Sequence, residues 1–121
     1  MSDQGPNPIL AFVAEQFKRA AMVTHFGYQD EDEAMQLAGI DGVKRAIQNL
    51  DAFGADARSA LVPLLDDADQ VVRVLAARHL IKVLPERALA ILKDMHLRGS
   101  TEARLAASAI LQKYERGELK I

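Results

Sequence analysis

Arg73-Val74-Leu75-Ala76-Ala77-Arg78-His79-Leu80 is answered further along the chain by Arg104-Leu105-Ala106-Ala107-Ser108-Ala109-Ile110-Leu111. Arg73 to Arg104, Ala76 to Ala107 and Leu80 to Leu111 share one offset of about 31 residues, a period that belongs to stacked helical hairpins. Upstream, Leu61 and Leu92 keep that offset, as do Leu64 and Met95. The small alanines fall where helices must approach closely, and the leucines fall where they fill the layer between hairpins.

Outward from that pair, helix signals follow one another with no alternating strand pattern. Asn7-Pro8 combines a capping side chain with proline at the first helical position. Ile9, Phe12, Val13, Gln16, Phe17 and Ala20 continue it as an inward stripe, and Gly27 is expected to end it. Asp30-Glu31-Asp32-Glu33 reads as the start of the next helix, its carboxylates meeting the positive end of the backbone dipole. It lacks the glycine and distal glutamate of a calcium loop. The second helix runs to about Leu50 with Met35, Leu37 or Ala38, Val43, Ile47 and Leu50 inward. Gly39 and Gly42 predict a break, with Asp41 capping its second half.

Asp56 is expected to cap a third helix through Leu65, bent at Pro63. Asp66-Asp67-Ala68-Asp69 is a turn, and Asp69 caps a fourth helix, about Gln70 to Leu84. Val72, Leu75, Ala76, Leu80 and Val83 form one face of it. Val71, Val74, Ala77 and Ile81 widen that face enough for packing on two sides. Pro85 opens a fifth helix with Ala88, Leu89, Ile91, Leu92 and Met95 inward, closed by a left-handed Gly99. Ser100 or Thr101 caps a sixth, which stops at Gly117. The expectation is an all-α fold of about six helices, a solenoid of about three stacked antiparallel hairpins. Residues 1–6 form a loose tail, 7–53 an N-terminal helical pair or cap, 56–84 one repeat and 85–116 the next, all in a single domain.

From Leu61 onward the pattern resembles HEAT repeats. Leu61-Val62-Pro63-Leu64-Leu65 carries the proline of a leucine-rich first helix, an acidic turn follows, and Val72-Arg73, Ala76-Ala77 and Leu80 match the second helix. In the second copy Asp94, Ala103 and Ser108 depart from that pattern. With Pro85-Glu86-Arg87-Ala88 after it, most of the chain resembles the DUF2019 family of small bacterial proteins of unknown function. The resemblance implies the stacked-hairpin architecture and transfers no catalytic residues.

Composition sets the remaining bounds. The 121 residues are 50% hydrophobic and 26% charged, with 15 basic against 17 acidic side chains and a formal charge of −2. That balance does not favour nucleic acid. The chain has no cysteine, so disulfide, thiolate and cysteine-zinc chemistry are excluded. No basic-then-apolar leader or bilayer-length apolar run appears, so the expected location is the cytoplasm, without a membrane partner.

Candidate chemistry is sparse. His25, His79 and His96 form no HExxH pattern, and no nucleophile elbow, phosphate loop or dinucleotide fingerprint occurs. The chain is therefore expected to be no enzyme and to take no cofactor or metal. Arg73 and Arg104 suit an arginine ladder along phosphates, but bracing of the acidic turn is favoured, with Arg73 reaching Asp66, Asp67 or Asp69. His79 is expected to be partly buried on the apolar fourth helix.

The expected function is binding of an unidentified protein partner through the concave face of the second helices. Arg78, Lys82, Glu102, Lys113 and Arg116 are its candidate residues. A nucleic-acid-binding module is the alternative. The expected state is a monomer or weak homodimer, with Tyr114, Leu119 and Ile121 at the C-terminal end as the self-association candidate. If Leu80 fills the inter-hairpin layer, Leu80→Ala costs about 2–5 kcal/mol. Denaturant unfolding measures it, and an unchanged stability would refute that register.

Overall fold

The computed structural model describes residues 7–121. The expected tail, residues 1–6, lies outside them. Asn7 caps the first helix by accepting a hydrogen bond from the Ile9 amide at 2.8 Å, and Pro8 takes the first helical position. This helix, α1 (Pro8–Gln29), passes through Gly27 rather than ending there. It closes with Glu31 at φ 52°, a left-handed position usually given to glycine, while the Asp32 amide reaches the Gly27 carbonyl at 2.9 Å. Asp32 then caps α2 (Glu33–Asp51), its carboxylate accepting from the Met35 amide at 3.0 Å.

The break expected at Gly39 and Gly42 does not form; α2 is continuous, and Asp41 pairs with Arg45 one turn on instead of capping. Both glycines serve the approach of α1. A β-carbon at Gly39 would stand 2.5 Å from the Thr24 amide nitrogen, and one at Gly42 would stand 2.8 Å from the Ala20 β-carbon. Gly27 does the same from the other side, where a β-carbon would lie 2.6 Å from the Gln36 nitrogen. The α1 stripe follows this contact: Val13, Phe17, Ala21 and Thr24 are buried, whereas Ile9 and Phe12 are exposed. On α2, Val43, Ala46, Ile47 and Leu50 are buried and Leu37 is exposed.

The segment expected as the third helix is a 3-10 helix, Ala57–Asp66, with Pro63 inside it and no side-chain bond from Asp56. The tighter turn suits a stretch with a proline and i, i+3 spacing of Arg58 and Leu61. Asp69 accepts from the Val71 and Val72 amides at 2.8 and 3.1 Å to open α3 (Gln70–Leu80). Its α-helical geometry ends at Leu80, four residues short of the expected boundary. Val71, Val72, Val74, Ala76, Ala77 and Leu80 are all buried on it, so α3 packs on more than one side as its width predicted. Next come α4 (Pro85–Arg98) and α5 (Thr101–Glu115), the latter capped by Ser100 through the Ala103 amide at 3.3 Å. Gly99 closes α4 at φ −76°, not in the left-handed region; Gly117 after α5 does take φ 71°.

The regular secondary structure of the described residues is all helical, without strands. No helix among them is long and apolar enough to cross a membrane. The offset of the sequence reappears in the elements. The caps Asp69 and Ser100 keep it, as do the buried pairs Leu61 and Leu92, Val72 and Ala103, and Ala76 and Ala107. The Ser100 amide donates to Gln70 at 2.6 Å, joining the starts of α3 and α5 directly. α1 packs on α2, the 3-10 segment on α3, α3 on α4 and α4 on α5.

One core runs from Val13 and Phe17 through Leu50, Leu61 and Leu80 to Leu92 and Ile110.

The glycine contacts make a testable claim. Alanine at an ordinary helix site stabilises by about 1 kcal/mol relative to glycine. Gly39→Ala is expected to destabilise instead, on the order of 1–3 kcal/mol, because its methyl meets Thr24 backbone that cannot swing away. Denaturant titration measures the sign.

Candidate functional site

A recess of about 340 Å³ lies between α2, α3 and the residues after α5. Ile40, Val43 and Ile47 of α2 and Leu75 of α3 give it apolar walls, with Thr24 of α1 beneath. Lys44, Gln48, Arg58, Arg78, His79, Lys120 and Ile121 complete its lining, so no acidic residue borders it.

Contacts of two arginines shape the polar end. Arg58, buried at 5% exposure, forks onto Asp51 through Nε at 2.8 Å and Nη2 at 2.9 Å. Its Nη1 donates to the His79 carbonyl at 3.2 Å. The Arg58 hydrogen bond holds the Asp51 carboxyl below its usual range despite partial desolvation. Arg78 Nη1 lies 3.3 Å from His79 Nδ1, and Arg78 Nη2 donates to the Lys120 carbonyl at 3.1 Å. Arg78 therefore meets an imidazole and a main-chain oxygen but no carboxylate. Burial, and next the nearby Arg58, lower its pKa from the ordinary value.

His79 stands edge-on to Phe17, ring centroids 5.8 Å apart and planes at 85°. Burial, then the positive charges of Arg78 and Arg58, push its pKa down to about 3. The ring is thus neutral at neutral pH, and Nδ1 is free to accept from Arg78 if the proton sits on Nε2.

A second polar junction lies at the acidic turn. Arg73 does not brace it; Asp66 pairs with Arg87 at 3.6 Å, Asp67 with Lys18 at 2.9 Å and Asp69 with His25 at 2.9 Å. Arg73 leaves its Nε buried and without a hydrogen-bond partner. Lys18 and His25 sit two turns apart on α1, so one helix face supplies both cationic partners and takes the carboxylates first. His25 Nε2 also lies 3.8 Å from Glu102 Oε1 at the start of α5. Arg104 borders a separate surface recess with His96, Thr101, Leu105 and Ser108.

Of the residues singled out in the sequence, Arg78 lines the recess between α2 and α3. Lys82 falls in the turn after α3, so it does not continue the helical face of Arg78. Glu102 turns toward His25, while Lys113 and Arg116 are exposed near the end of α5, Arg116 beside Glu118 at 3.9 Å. The recess adds Arg58, Lys44 and the 120–121 tail, which the sequence reasoning missed. Arg58 carried a signal, as the one charged residue in the mostly apolar run from Ala57 to Leu65; the approach of the tail carried none.

No protein-family model, curated protein or solved structure matches the chain.

His79 gives a pH test with a defined sign. Its folded pKa, about 3, lies below the unfolded value of about 6.5. Its stability contribution is therefore complete above about pH 6.5 and is lost as pH falls toward 3, by up to about 1.4 kcal/mol per pH unit. Between pH 7 and 5 the parent is expected to lose about 1–2 kcal/mol more than His79→Gln, which cannot take up that proton. Urea unfolding at both pH values reads the difference; parallel losses would contradict it.

Proposed function

We propose that the chain is a non-enzymatic protein-interaction module, a short HEAT-like array of three stacked helical hairpins similar to the DUF2019 proteins, working in the cytoplasm. The partner docks where the second helices of the first two hairpins, α2 and α3, leave the recess between them. One observation carries this reading: Arg78 presents a half-buried guanidinium, without a carboxylate partner, beside an apolar wall. Arginine next to apolar surface is a common anchor of protein interfaces. Repeat arrays use the surface along successive second helices for extended partners. Lys82, Glu102, Lys113 and Arg116 extend that surface toward the exposed edges of the array.

A nucleic-acid-binding module is the second reading, favoured by the cations Lys44, Arg58, Arg78 and Lys120 around one recess. The apolar walls and the overall charge of −2 weigh against it. Phosphate-driven affinity falls steeply with salt. A generic duplex showing no association even at about 50 mM salt removes that reading.

The main reading is tested by charge reversal. Arg78→Glu together with Lys82→Glu is expected to weaken an identified protein partner by more than about tenfold, the scale of losing a charged interface anchor. Circular dichroism confirms that the variant stays folded. Unchanged affinity in a folded variant would remove the surface assignment.

A further inference from the structure

The residues after α5 turn back onto the recess. The Glu118 amide bonds to the Lys113 carbonyl at 2.8 Å beyond the left-handed Gly117. Leu119 packs against the core, and the Lys120 carbonyl then accepts from Arg78 while Ile121 lines the recess. The chain thus places a short peptide of its own, apolar and cationic side chains in succession, against the recess.

We infer that the recess between α2 and α3 is a peptide-binding groove for a partner segment that pairs an acidic residue with an aliphatic one, and that residues 119–121 occupy it in cis as a displaceable competitor. This rests on the proposed interaction role and names the chemistry of the partner.

Charge complementarity selects the segment. Lys44, Arg58, Arg78 and Lys120 border the groove, and none of its lining side chains is a carboxylate. The nearest one, Asp51, is already held by both nitrogens of the Arg58 fork. Arg78 has spent one donor on the Lys120 carbonyl and one on His79, neither of which neutralises it. A carboxylate there would make a charge-assisted pair, stronger than the neutral contact it replaces. Ile40, Val43, Ile47 and Leu75 supply the wall for an aliphatic neighbour.

The tail is a poor ligand by the same criterion. Its side chains bring a further cation, Lys120, to a groove where Lys44 and Arg78 already lack a carboxylate partner. It stays because it is tethered: the hydrogen-bonded turn at Gly117 and Glu118 and the packing of Leu119 hold residues 120–121 at the groove, which raises their effective concentration there. A free segment with a carboxylate in place of that lysine outcompetes it through intrinsic affinity.

The test uses a fluorescein-labelled peptide of residues 115–121 carrying Lys120→Glu, the unsubstituted peptide beside it, and the full chain, read by fluorescence anisotropy. The substituted peptide is expected to bind about tenfold more tightly than the unsubstituted one at low salt, with the gap closing as salt rises. Two full-chain variants locate the site. Lys120→Glu in the protein strengthens the competing tail and is expected to weaken the probe severalfold. Arg78→Gln is expected to abolish the preference for the acidic peptide. Ile121→Ser loosens the tail and tightens the probe by about tenfold if the groove is open about a tenth of the time.

Equal binding of the two peptides, or a preference that survives Arg78→Gln, overturns the inference. So does the absence of saturable binding to Ile121→Ser. Lys120→Glu and Ile121→Ser change only exposed tail positions, so the outcome does not hinge on whether an Arg78 variant folds. A partner protein whose retention depends on Arg78 while the probe fails would overturn the peptide chemistry alone. Loss of both would remove the interaction role as well.

Discussion

Arg58 carries a full charge into the interior at 5% exposure, and the geometry around it makes that tolerable. An isolated buried ion costs several kcal/mol, recovered only when partners and hydrogen bonds are close to ideal. Here both carboxylate oxygens of Asp51 take a donor each, and the third donor meets the His79 carbonyl. The three anchor points are the last residue of α2, the 3-10 segment and the end of α3. One guanidinium therefore ties α2 and the 3-10 segment to the end of α3. It also fixes the groove, because the carbonyl it holds belongs to the residue after Arg78, and His79 packs on Phe17 from α1.

The remaining joints use different physics for different distances. α1 and α2 meet through Gly27, Gly39 and Gly42, where backbones come too close for any side chain. The helices from the 3-10 segment onward meet through ordinary side-chain layers, with Leu61, Leu80 and Leu92 fully buried, as are Ala76 and Ala107. Between the two lies the acidic turn. Its carboxylates reach three separate elements: Asp67 and Asp69 hold Lys18 and His25 of α1, Asp66 reaches Arg87 of α4, and Asp69 also caps α3. Desolvation works against the Asp67 carboxylate, but the hydrogen bond from the Asp69 amide and then Lys18 hold it below its usual range.

These differences explain what was legible in the sequence. Caps and prolines act locally, so Asn7, Pro8, Asp69, Pro85 and Ser100 mark true helix starts. The period was legible because buried positions in both copies must hold small or aliphatic residues. Glycine was ambiguous: the same absence of a β-carbon that ends helices also permits close approach, and at Gly39 and Gly42 the second use won. Glu31 took the left-handed position for which Gly27 was the obvious candidate. At the groove, Arg78 was found because it stands on the repeat. Arg58 and the tail were not, because the contacts that bring them to the groove, with His79 and Arg78, span 21 and 42 residues and no periodicity links them.

The frame, then, presents one cationic, apolar-walled groove whose occupant in the resting chain is a short stretch of the chain itself. The central claim is that this groove serves a protein. Affinity co-purification of the tagged full chain from its native lysate, with and without nuclease, tests it most directly. The account predicts a stoichiometric protein partner that survives nuclease treatment and is released by competition with the acidic tail peptide. Recovery of nucleic acid alone, lost on nuclease treatment, would contradict it.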